Sequence, residues 1–78
     1  MNEQAVRQLT AEVLAAIAPE ANLATVSDSE DLREALDLDS MDFLNFVIAL
    51  GEKTGVSVPE ADMGRLRTMK GLLAYLVR

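Results

Sequence analysis

The sequence contains no cysteine, no histidine and no tryptophan, and its aromatics are two phenylalanines and one tyrosine. Disulfide staples, Cys/His zinc sites, thiol nucleophiles and imidazole general bases are therefore excluded at the outset. Positive charge is also scarce, with 7 bases against 13 acids and a formal charge of −6. Nucleic acid is a poor ligand for such a chain, because phosphate binding needs a positive stripe. No apolar run approaches the ~20 residues of a membrane span, and Met1-Asn2-Glu3 lacks the basic start of a secretion signal, so a cytoplasmic location is expected. Half of the 78 residues are apolar, which sets the chain apart from a disordered acidic tail. At this length one domain spanning 1–78 is expected, and it buries only about 60–65% of its unfolded surface.

The charge is unevenly distributed. Between Glu20 and Asp42 lie eight acids and one base, Arg33, a net −7, so the other 55 residues carry +1. From Met63 to Arg78 there are four bases and no acids.

Apolar periodicity organises the chain into helices. Val6, Leu9, Val13 and Ile17 recur at three- and four-residue steps and predict an amphipathic helix over Glu3 to Ala18, ended by Pro19. Residues 19–39 read as a long connection rich in turn and cap formers, tacked to the core by Leu23, Val26, Leu32, Leu36 and Leu38, with a short helical turn near Asp31 to Ala35. A second strong helix is expected from Ser40 to Thr54, ended by Gly55. Its apolar residues cover more than half its circumference, so it is either central to the core or presents a strip to a partner. Phe43 and Phe46 are divided between these two readings. Pro59 opens a brief helix over Glu60 to Gly64, and Thr68 caps a last one over Met69 to Val77. The expected class is all-α, three main helices plus a short one, with a core of Val6, Leu9, Val13, Ile17, Leu44, Val47, Ile48, Val58, Leu72 and Leu76.

Catalysis by the chain itself is not expected. Without His or Cys a nucleophile would need a Lys or carboxylate base, and Lys53 and Lys70 sit in ordinary helix contexts. A calcium loop starting at Asp37 fails, because Met41, Asp42 and Ile48 occupy the positions of a ligand, the glycine and the bidentate glutamate. What remains is Asp37-Leu38-Asp39-Ser40-Met41-Asp42, at the junction of the acidic connection and the most apolar helix. Taken alone it reads as helix capping, with Asp39 as the N-cap and Asp42 facing the positive end of the helix dipole.

The wider context adds a second reading. Asp39-Ser40-Met41, the run Gly55-Val56-Ser57-Val58-Pro59-Glu60 about 15 residues later, the opening Thr68-Met69 and the ending Leu73-Ala74-Tyr75-Leu76 together resemble the acyl carrier protein family over residues 3 to 77. The resemblance implies a small four-helix bundle of acyl-carrier type with a long loop between its first two main helices. It also implies that Ser40 receives 4′-phosphopantetheine from coenzyme A through a separate phosphopantetheinyl transferase. The thiol of that arm then holds an acyl or aminoacyl group as a thioester for a loading ligase and for acyl-transferring or condensing enzymes. By the same resemblance Asp39 is the recognition acid and Asp42 an exposed acid that partners meet; Met41, Phe43 and Asn45, where the chain departs from the family pattern, are expected to be read beside them, and a monomer is expected. The absent cysteine agrees with this, since the working thiol arrives on the prosthetic group. Family members serving fatty-acid synthesis usually carry further acids along this helix, where the present chain has Asn45, Gly51 and Lys53. A specialised pathway is therefore the preferred setting. The alternative from a different class is an unmodified helical interaction module that docks through its acidic patch.

Overall fold

The computed structural model describes residues 2–77. Its helices are α1 (Glu3–Ile17), α2 (Leu32–Ala35), α3 (Ser40–Thr54) and α4 (Met69–Leu76), with 3₁₀ segments at Leu23–Thr25 and Glu60–Arg67. No strand occurs among the described residues. The expected all-α class and the short helix between the first two main ones are both observed.

Each helix starts where a side chain can take up its free amides. Asn2 Oδ1 accepts from Ala5 N at 2.8 Å, Asp31 Oδ1 from Arg33 N at 2.9 Å, Asp39 Oδ1 from Asp42 N at 2.7 Å, and Thr68 Oγ1 from Gly71 N at 3.0 Å. Helix α3 stops at Gly55, whose φ of +72° is the left-handed conformation that a residue with a Cβ rarely adopts.

The core joins Val6, Val13 and Leu14 of α1 to Phe43, Phe46, Val47 and Leu50 of α3 and to Leu72, Leu73 and Leu76 of α4, closed by Leu32, Leu38, Leu66 and Met69. Thr10 is buried among these apolar residues because its hydroxyl donates to Val6 O at 2.7 Å, which leaves no unpaired donor.

Two expectations are corrected. Leu44 and Ile48 were expected in the core, but they are 37% and 45% exposed. The wide apolar surface of α3 faces inward through Phe43, Phe46, Val47 and Leu50 instead, so Leu44 and Ile48 are rotated to the outer side. The helix expected to end at Gly64 continues to Arg67 as a 3₁₀ segment, held by the fully buried Leu66. It passes so close to α4 that a Cβ on Gly71 would collide with Arg65 O, a contact only glycine permits.

The acidic connection is clamped to the helices. Asp28 takes both guanidinium nitrogens of Arg7 on its carboxylate, at 3.1 and 2.6 Å, while its backbone carbonyl accepts from Lys70 N at 2.9 Å. One loop residue thus ties α1 to the first turn of α4. Asp31 caps α2 and also pairs with Arg67, which fixes α2 against the end of the second 3₁₀ segment. Glu30 accepts from Ser27 N at 3.1 Å within the loop.

Candidate functional site

Ser40 is the first residue of α3 and is exposed. Its position is set by the turn that precedes it. Helix α2 ends with Leu38 N donating to Arg33 O at 2.8 Å while Asp37 adopts a φ of +54°. This is the left-handed C-terminal turn usually built on glycine, here on an aspartate, a residue that tolerates the conformation better than most. Buried Leu38 anchors the far side of the turn. Asp39 then caps α3, with its side chain on Asp42 N and its carbonyl accepting from Phe43 N at 3.0 Å. The amides of Ser40 and Met41, in the same first turn, have no such internal acceptor and lie at the positive end of a 15-residue helix. A phosphodiester on the Ser40 hydroxyl would lie at the helix end where those amides are free, so the residues present fit a phosphate-linked group. The chain has no histidine or cysteine to pair with Ser40, and the carboxylate of its neighbour Asp39 is engaged with Asp42 N.

The surface beside Ser40 is apolar and then polar. Met41 is 64% exposed, and with Leu44 and Ile48 it forms a stripe at three- and four-residue spacing down the outside of α3. Asn45 is exposed next to it, and Asp42 is partly exposed in the first turn. Phe43, expected among the partner-facing residues, is corrected: it is only 8% exposed, with its ring tilted against Phe46 at a centroid distance of 6.2 Å. Its large apolar ring gains more from burial than it could from solvent, and the pair belongs to the core. The sequence reading took Leu44 and Ile48 for core; the stripe running 41, 44, 48 from Ser40's neighbour is the signal that could have separated them.

An open groove of about 420 Å³ follows the same helix, lined by Val47, Ile48, Gly51, Val56, Val58 and Met63. Its first residues lie about 10 Å along α3 from Ser40 at 1.5 Å per residue. The acids near the site divide into two groups. Asp28, Glu30, Asp31 and Asp39 are engaged in hydrogen bonds or ion pairs within the fold, whereas Glu20, Glu34, Asp37 and Asp42 make no such side-chain contact among the described residues. No group of three or more metal-ligating side chains occurs among the described residues, and no described helix is long and apolar enough to cross a membrane.

Comparison with known proteins agrees with this geometry. The profile of the family described as phosphopantetheine attachment site matches residues 4–76. The chain is 30% identical over 76 residues to the polyketide-8 synthase acyl carrier protein 2 of Streptomyces avermitilis, covering 97% of this chain and 82% of that one. It is 32% identical over 71 residues to an acyl carrier protein of Campylobacter hominis, covering 91% of this chain and 84% of that one. An acyl carrier protein of Helicobacter hepaticus is 35% identical over 43 residues, 55% of this chain and 57% of its own. A small helical protein with an exposed serine at a capped helix N-terminus, matched along nearly its whole length, defines a carrier of a covalently held arm, and this chain belongs to the acyl carrier protein family. The prosthetic group of that family is a covalently attached 4′-phosphopantetheine, whose thiol supplies the thioester chemistry.

Proposed function

We propose that Ser40 is the attachment point of the arm, and that the protein carries acyl or aminoacyl thioesters between the enzymes of a specialised pathway. The observation that carries this reading is the exposed Ser40 hydroxyl at the head of α3, capped by Asp39 and bordered by the apolar stripe of Met41, Leu44 and Ile48. Asp39, Met41, Asp42 and Asn45 form the surface that partner enzymes read, joined by Leu44 and Ile48. The transferase and the loading and condensing enzymes meet this surface in turn. A carrier must leave each partner after its step, and a small apolar stripe beside few charges gives weak, steered contacts of that kind.

A specialised pathway is supported by the distribution of charge. Four acids of the −7 segment serve the fold itself, and the exposed face of α3 beyond Asp42 offers Asn45, Lys53 and one acid, Glu52. A basic partner surface evolved for a continuous acidic face finds little to grip there. Two of the relatives named above are carriers without a stated pathway, and one is a polyketide carrier. The groove along α3 receives the first carbons of a bound acyl chain.

The test is co-expression with a broad-range phosphopantetheinyl transferase and coenzyme A, followed by intact-protein mass. A gain of one phosphopantetheine that Ser40→Ala abolishes is the expected result. No gain with several transferases returns the chain to the alternative of an unmodified interaction module. Incubating the modified protein with loading enzymes of fatty-acid synthesis and of polyketide-type assembly then distinguishes the settings, and poor loading by the former is expected.

A further inference from the structure

Arg33 is the one base in the −7 segment, yet among the described residues no carboxylate lies within ion-pair distance of it. The other arginines described are all paired: Arg7 with Glu3 and Asp28, Arg65 with Asp62, and Arg67 with Asp31. The Arg33 guanidinium lies instead 5.9 Å from the centre of the Phe43 ring, on a residue that is half-buried. Two constraints hold it close to Ser40. Its carbonyl is bonded to Leu38 N, two residues before the serine. Phe43 is one helical turn after Ser40, and neighbours at that spacing have Cβ atoms about 5–6 Å apart. Helical side chains lean toward the N-terminus, which directs the Phe43 side chain back toward the turn that begins at Ser40. The cation thus rests on the ring of a residue one helical turn from Ser40.

We propose that Arg33 is the cationic partner of the phosphodiester that joins Ser40 to its arm, and so a positioning residue for the arm's root. This rests on Ser40 being the attachment point. A guanidinium presents a planar fork of donors that matches two phosphate oxygens, whereas the surrounding carboxylates already have other work or stand apart. The first-turn amides of α3 meet the phosphodiester from the helix side, and Arg33 meets it from the α2 side. Between them the arm leaves the protein in a defined direction, toward the Met41, Leu44 and Ile48 stripe. Before attachment the cation rests against the Phe43 ring, a modest cation–π contact that a phosphate can outcompete.

The experiment compares unmodified and modified wild-type protein and Arg33→Gln, with arginine labelled in nitrogen-15. Intact mass reports modification separately. In the wild-type protein, modification is expected to shift the Arg33 Nε–Hε resonance and slow its exchange with water. The phosphorus-31 resonance of the modified protein is expected to differ between wild type and Arg33→Gln, and that difference is expected to shrink in 1 M salt. Modified wild-type protein whose Arg33 resonance is unchanged from the unmodified form overturns the proposal, and this readout needs no variant. Equal phosphorus-31 signals in wild type and variant overturn it as well and leave Arg33 a cation–π contact only. Absence of any mass gain in the wild-type protein removes the attachment point, and this assignment with it.

Discussion

Asp39 does two jobs that chemistry can separate. Its carboxylate oxygen accepts from Asp42 N at 2.7 Å, which satisfies one of the free amides of α3, and its negative charge stands beside Ser40. Replacement by alanine removes both, with an expected loss of about 1 kcal/mol of stability from the lost cap. Replacement by asparagine keeps the accepting oxygen, since Asn caps about as well as Asp, but removes the charge. Asp39→Asn is therefore expected to unfold near the wild-type temperature while being modified more slowly by the transferase. Thermal melts beside timed mass spectra check this, and unchanged modification kinetics in Asp39→Asn would assign the residue to capping alone. The capping role was legible from the sequence, because an Asp one residue before an apolar run has few other uses. The left-handed Asp37 was not legible, because a glycine is the residue that usually signals such a turn.

Helix α3 has two apolar faces in opposite surroundings. Phe46, Val47 and Leu50 are essentially inaccessible, while Met41, Leu44 and Ile48 are exposed on the other side. Deleting side chains from the two faces is expected to give opposite results. Phe46→Ala removes a fully buried ring and is expected to cost about 3–5 kcal/mol. Leu44→Ala or Ile48→Ala exposes little new apolar surface and is expected to cost less than about 1 kcal/mol. The same two surface changes are expected to slow transfer of the arm and loading of the acyl group several-fold. Chemical denaturation measures the first pair of effects, and transferase kinetics on folded protein measure the second. A large stability loss in the Leu44 or Ile48 variants would contradict the division of faces. Periodicity located this helix and both its ends, but not its rotation. With apolar residues on more than half the circumference, several inward orientations bury similar area, and the aromatic volume of Phe43 and Phe46 against α1 and α4 decides among them. In α1 the apolar stripe is narrower: Val6 and Val13 face the core as their spacing implied and Ile17 packs against its edge, but Leu9, expected with them, is only partly buried outside it.

The acidic segment acts on the molecule as a set of clamps as well as a surface. Asp28 bridges α1 and α4, Asp31 bridges α2 and the second 3₁₀ segment, and together they draw the long loop over the core. The hydrogen bond from Arg7 holds the Asp28 carboxyl below the usual carboxylate range, and pairing with Asp28 and Glu3 raises Arg7 further above the range of arginine. Because the folded value of Asp28 is lowered, its contribution is fully present above the ordinary carboxylate range near pH 4 and is lost as pH falls through the folded value. Wild-type protein is therefore expected to lose stability from about pH 4 downward, and Asp28→Asn to show a shallower fall over that interval. The pair is half exposed, so added salt is expected to narrow the difference. Melting temperatures across pH 2.5–6 at low and high salt measure this; parallel curves for the two proteins would show that the clamp carries no pH-dependent stability.

The sequence by itself determined the helical class, the three main helices, the Asp39 and Thr68 caps, the stop at Gly55, and the serine at the head of α3. Each follows from local chemistry: apolar spacing, side chains that accept from free amides, and a glycine where the backbone turns left-handed. Tertiary structure alone decided which face of α3 is buried, which acids are spent on holding the loop, and where Arg33 rests. Those outcomes depend on which side chains meet from distant parts of the chain. Asp28 finds Arg7 across 21 residues, and no local pattern marks the pairing. The −6 charge is thus partly internal mortar, spent on contacts that the fold alone creates.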